Sequence, residues 1–104
     1  MLEESIVKQD IMEYLSKLKE ENHPIFFERR EAGGFAYKKG IPDLYAVYNG
    51  THIEIEVKAS DGKTRPLQDK WKKRCQRINI PYICVSSIED FEQFFENIIK
   101  KNNL

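Results

Sequence analysis

Gly40-Ile41-Pro42-Asp43-Leu44-Tyr45-Ala46-Val47-Tyr48-Asn49-Gly50-Thr51-His52-Ile53-Glu54-Ile55-Glu56-Val57-Lys58-Ala59 decides the fold. Asn49-Gly50 predicts a two-residue type I′ turn, because both central residues of that turn need positive φ. The residues on either side alternate. Ile53, Ile55 and Val57 fall on one strand face, and Glu54, Glu56 and Lys58 on the other. A β-hairpin over residues 41–59 follows. A two-residue loop sets Tyr48 opposite Thr51, and counting back sets Asp43 opposite Glu56 with both side chains on one face. They fall at a non-hydrogen-bonded pair, with Cα atoms about 4.5 Å apart. Lys58 lies two residues further along that face.

Like charges directly opposite destabilise a sheet, so this pair requires an offsetting partner. A hard divalent cation meets the need, since Mg²⁺ takes oxygen ligands and is held by one or two carboxylates plus water and substrate phosphate. Lys58 adds a point charge that suits orienting a water or neutralising a phosphate. A solvated sheet face with a Lys–Glu pair accounts for Glu54, Glu56 and Lys58. It leaves unexplained why Asp43, a poor strand former, stands opposite an acid.

Pro42-Asp43 followed by Glu56-Val57-Lys58 resembles the PD-(D/E)XK nuclease pattern. The surroundings resemble its VRR-NUC family, the virus-type replication-repair nucleases. The matching pieces are Gly40-Ile41-Pro42-Asp43-Leu44, Ile55-Glu56-Val57-Lys58, and Gln68 ten residues after Lys58. Glu4, Val7, Ile11, Tyr14 and Leu15 resemble that family's first helix. The likeness runs from about Glu4 to Phe91. It implies a metal-dependent hydrolysis of DNA phosphodiester bonds. Asp43, Glu56 and the Val57 carbonyl would hold one or two Mg²⁺ or Mn²⁺ ions, and Lys58 would position or activate water. Gln68 and Glu4 would orient the site, with Glu3 a rival for the place of Glu4. The family's helix before the glutamine is usually capped by serine or threonine where this chain has Arg65, so Thr64 is the candidate cap.

A chain of 104 residues is one domain, 1–104, with no room for a separate recognition domain. Formal net charge is zero, so affinity for phosphate has to come from local clusters of cations. Cys75 and Cys84 lack metal-ligand spacing and read as reduced core residues of a cytoplasmic protein, in a bacterial or phage-infected cell. No apolar run reaches the length of a signal peptide or membrane span, and no organic cofactor is implied.

In chain order, Val7, Ile11, Tyr14, Leu15 and Leu18 predict a helix over residues 3–21, ended by Asn22-His23-Pro24. Ile25-Phe26-Phe27-Glu28-Arg29 reads as a strand. The loop to Lys39 interleaves cations with aromatics, and Arg30, Lys38 and Lys39 are candidates for a nucleic-acid backbone. Phe35 and Tyr37 lie in the same loop. After the hairpin, Pro66 suits the first position of a helix. Leu67, Trp71, Cys75 and Ile78 form its apolar stripe, with Gln68 at the edge. Lys63, Arg65 and Lys72 are the further phosphate candidates here; Arg74 and Arg77 read as solvated. Pro81 to Ser86 is a short strand, Ser86 and Glu89 form a capping box, and Phe91, Phe94, Phe95, Ile98 and Ile99 make the core face of a last helix. His23 and His52 read as structural or solvated.

The order αβββαβ plus a C-terminal helix predicts an α/β, restriction-endonuclease-like core: a mixed central sheet flanked by helices. The reading is a nuclease acting as a homodimer on branched DNA, in the manner of a Holliday-junction resolvase in DNA repair, as the small bacteriophage members of the family suggest. Its rivals are an inactive nucleic-acid-binding module of the same fold, a less selective nickase or restriction-like nuclease, and an interaction protein with an acidic docking face. The last predicts that replacing Glu54 is as harmful as replacing Glu56.

Overall fold

The computed structural model describes residues 3–30, 40–58 and 66–102. Its elements are α1 (Glu4–Glu20), β1 (Ile25–Arg29), β2 (Leu44–Tyr48), β3 (Thr51–Val57), α2 (Pro66–Arg77), β4 (Tyr82–Val85) and α3 (Ile88–Asn102). The strands lie side by side in the order β1-β2-β3-β4. β1–β2 and β2–β3 are antiparallel, and β3–β4 is parallel, with α2 as the crossover that a parallel pair requires. This is the mixed sheet flanked by helices that the element order predicts.

Asn49 and Gly50 both take positive φ, 47° and 87°, as a type I′ turn demands. The register follows from that turn. Tyr48 pairs with Thr51, Tyr45 with Glu54 and Leu44 with Ile55, so the next position along opposes Asp43 to Glu56.

Two helix ends use the same device. Asn22 and Asn79 adopt left-handed φ of 69° and 61°. The amides of His23 and Ile80 then donate back to the carbonyls of Leu18 and Cys75, at 3.0 and 2.9 Å, satisfying carbonyls that would otherwise be orphaned. Asn22 itself thus stops α1, two residues before Pro24. At α3 the cap is Ser87 and not Ser86: the Ser87 Oγ accepts the Asp90 amide at 3.2 Å.

One sheet face carries the core. Val7, Ile11, Leu15 and Leu18 of α1 meet Leu44, Ala46, Tyr48, Ile53, Ile55 and Val57 of the hairpin, Val85 of β4, and Phe91, Phe95 and Ile98 of α3. Phe91 stacks on Phe95 at 5.5 Å, and Tyr14 and Tyr48 meet Phe95 edge-on at 6.1 and 5.7 Å, a favoured aromatic geometry. His23 is structural, its Nδ1 hydrogen-bonded at 2.9 Å to the buried Tyr48 hydroxyl.

The opposite face meets α2, and here the helix is turned differently from its apolar stripe. Gln68 is 2% exposed and Cys75 is buried, while Leu67 is 40% and Ile78 60% exposed. The surface awaiting α2 is polar, carrying Glu54 and Glu56, so a glutamine is a better partner for it than leucine. Gly40 permits the close approach. It takes φ of +70°, and a Cβ there would sit 2.6 Å from the Leu67 backbone. Cys84 is likewise exposed and not a core residue, because it alternates with Val85, which takes the core side.

Candidate metal and phosphodiester site

Asp43 immediately precedes β2, and Glu56 is the penultimate residue of β3. Glu56 is 2% exposed. The Asp43 Oδ2 accepts the Val57 backbone N–H at 3.1 Å, and its Oδ1 pairs with the Lys8 Nζ at 3.2 Å. The Glu56 Oε2 accepts from the Gln68 Nε2 at 2.6 Å. The two acids stand opposite each other across the hairpin.

Burial, and then the hydrogen bond and charge of Asp43, push Glu56 well above the ordinary carboxylate range, against the opposing pull of Lys58 and Lys8. Burial also raises Asp43, but its bonds to Glu56 and the Val57 amide, together with the Lys8 ammonium, outweigh burial and hold it below the ordinary range. The two shifts run in opposite directions, so Glu56 holds a proton more tightly than Asp43 does.

The donor set suits a hard dication. A buried and a half-buried carboxylate side by side disfavour each other's charge, and a divalent ion between them would neutralise both. Among the described residues, no group of three or more His, Cys, Asp and Glu side chains stands together to hold a metal. Asp43 and Glu56 are the two acids that could hold such an ion, with water and phosphate completing its shell.

Of the residues marked out in the sequence, Asp43, Glu56, Val57, Lys58 and Gln68 come together. Lys58 is half-buried, donates its amide to the Val85 carbonyl at 2.9 Å, and acts through its charge on Glu56. Lys72 is exposed on the side of α2 toward β4; burial and the Glu56 carboxylate push the Cys84 thiol up, and the Lys58 and Lys72 ammoniums oppose them. Glu4 lies in the first turn of α1, where no hydrogen bond or ion pair links it, or Glu3, to Asp43 or Glu56. Lys38, Lys39, Lys63, Thr64 and Arg65 lie outside the described residues.

Lys8 was not singled out in the sequence. It follows Glu4 by one helical turn and borders the Val7–Ile11 stripe, so its stem runs along apolar surface while its ammonium reaches Asp43. A lysine at the margin of a core stripe was the available signal.

Arg30 also differs from its expected part. Its Nη1 and Nη2 donate to the two Glu54 oxygens at 2.6 and 2.9 Å, and Nη1 also donates to the Pro42 carbonyl at 2.9 Å. Its backbone amide donates to the Asp43 carbonyl at 2.8 Å. The guanidinium fork is thus committed within the chain, bracing the Pro42–Asp43 backbone and presenting no free fork to phosphate. Tyr45 lies beneath it, 4.8 Å away, and stacks on His52, whose Nε2 bonds Glu54. Glu54, 4% exposed, is accordingly a structural acid opposite Tyr45.

No protein-family model and no curated protein matches the sequence. Among solved structures, one described as "VRR_NUC domain" is similar over 89% of this chain and 94% of its own, with a TM-score of 0.70 and 21% identity. No described helix is long and apolar enough to cross a membrane. On this likeness of architecture, the chain has the fold of a VRR_NUC domain.

Proposed function

We propose that residues 1–104 act as one metal-dependent nuclease domain that hydrolyses DNA phosphodiester bonds. The observation that carries this reading is the opposed Asp43–Glu56 pair, Glu56 buried and Asp43 half-buried, beside Lys58 on a VRR_NUC fold. Asp43, Glu56 and the Val57 carbonyl would hold Mg²⁺ or Mn²⁺. When bound, such an ion would polarise the phosphate and offset the charge on the leaving oxygen. Lys58 places an ammonium beside the reacting phosphate and orients the attacking water. Gln68 holds the Glu56 carboxylate, Lys8 holds that of Asp43, and Arg30 braces the backbone before it. Glu4, one turn before Lys8, would help orient the site. Lys38, Lys39, Lys63, Arg65 and Lys72 would meet the DNA backbone.

The finer reading is a homodimer cutting branched DNA at a four-way junction. A two-fold substrate suits a two-fold protein, and Phe26, exposed on the edge strand β1, offers an apolar contact for a second copy. The test is a cleavage panel of linear, flapped, forked and four-way DNA with Mg²⁺ or Mn²⁺, alongside light scattering. Cutting that disappears in folded Asp43→Ala and Glu56→Ala is expected. A folded chain that cuts none of these substrates overturns the reading. Monomeric protein that cuts linear and four-way DNA equally overturns only its junction-specific part.

A further inference from the structure

Beside the acidic site, the outer side of α2 forms a groove of about 1080 Å³ floored by Ile41, Leu67 and Trp71. Lys70, Lys73, Arg74 and Arg77 line it. These cations recur at helical spacing along one side, so a chain of zero net charge carries a local positive cluster here. The Arg74 guanidinium lies over the Trp71 ring, 5.6 Å from its centroid, making ring and cation one platform. Two of its lining residues are chain neighbours of the site: Ile41 is two residues before Asp43, and Leu67 precedes the Gln68 that holds Glu56.

We infer that this groove binds an unpaired DNA strand, with bases stacked on Trp71 and phosphates along the four cations, leading into the Asp43–Glu56 centre. Duplex DNA keeps its bases inside the stack and would leave the apolar floor uncovered. A second copy of the chain docked here would oppose two sets of four cations, whereas a polyanion neutralises them. Stacking on an aromatic with cations tracking the backbone is how proteins hold single strands without reading sequence. The inference deepens the nuclease reading and rests on it only for where the strand leads.

Trp71 is the single tryptophan, so its emission reports the groove. In the full chain with EDTA at low salt, oligothymidine is expected to quench that emission, and a blunt duplex of equal length is not. Trp71→Leu, which removes that emission, should weaken binding of a labelled oligothymidine, read by its anisotropy, by about tenfold. Lys73→Gln, at an exposed position whose loss leaves the fold intact, should lower the slope of log affinity against log salt by about one. Emission unchanged by oligothymidine, or quenched equally by duplex, overturns the inference. So does self-association that Trp71→Leu abolishes, which would assign the face to a second copy. Quenching without cleavage upholds the groove and removes the nuclease reading; cleavage without quenching does the reverse.

Discussion

The two faces of the sheet are built from the same strands and bury their residues by opposite chemistry. On the α1–α3 face, Leu44, Ala46, Ile53, Ile55 and Val57 meet Phe91 and Phe95, and burial of apolar surface is the stabilising force. On the α2 face, Glu54 and Glu56 are buried as deeply, yet every buried polar side-chain atom among the described residues has a partner. Glu54 is satisfied within the chain by Arg30 and His52. Glu56 is satisfied by Gln68 and stands opposite another acid, whose charge a divalent ion can offset. The difference separates a structural buried carboxylate from a candidate reactive one: the first has a permanent cation, the second has another carboxylate.

The largest expected effect lies in chemistry. Lys58→Met should lower turnover by about 10³-fold, roughly 4 kcal/mol of transition-state stabilisation, while calorimetric Mg²⁺ or Mn²⁺ affinity persists. Loss of metal affinity as well would mean that Lys58 organises the carboxylates and does not serve the reacting phosphate.

Stability should distinguish the faces next. Phe95→Ala opens the core and should cost about 3–5 kcal/mol in urea unfolding. Glu56→Gln should shift the midpoint far less, because glutamine is neutral beside Asp43 and keeps an oxygen for Gln68. Equal losses would make the α2 face as much a folding core as the other.

Glu54→Ala lies between these. It leaves the half-buried Arg30 guanidinium without its carboxylate and should destabilise by about 1–3 kcal/mol. Because Arg30 also braces Pro42 and Asp43, cleavage should fall in part, with metal affinity retained. Cleavage lost as completely as in Glu56→Ala, in protein that is still folded, would erase the distinction between the two acids.

The smallest effect is a pH slope in metal-free protein. The raised Glu56 contributes stability that is fully present below the ordinary glutamic acid pKa of about 4.3 and is lost as pH rises through its raised value. Asp43 runs the other way, its contribution being lost as pH falls through its lowered value. In EDTA the unfolding free energy should therefore decline above about pH 5, by at most about 1.4 kcal/mol per pH unit, and Glu56→Gln should flatten that decline. A slope unchanged in the variant would place the proton elsewhere.

What could be read in the sequence was local. Asn49-Gly50 sets a turn, the turn sets the register, and alternation then opposes Asp43 to Glu56 across only fourteen residues of chain. The helices were legible for the same reason, since their apolar periodicity and ends are written within a few neighbouring residues. The tertiary structure alone decided which face of α2 turns inward, because a helix buries the side that suits its partner. Here that partner is a polar strand face, which takes Gln68 and leaves Leu67 outside. It also decided that Lys8 and not Glu4 reaches Asp43, that Arg30 is held by Glu54, and that Gly40 is a glycine because the Leu67 backbone fills the space of a Cβ. Each of these depends on long side chains or backbones meeting across the chain, where their partners are set by the packing of whole elements and not by spacing along the sequence.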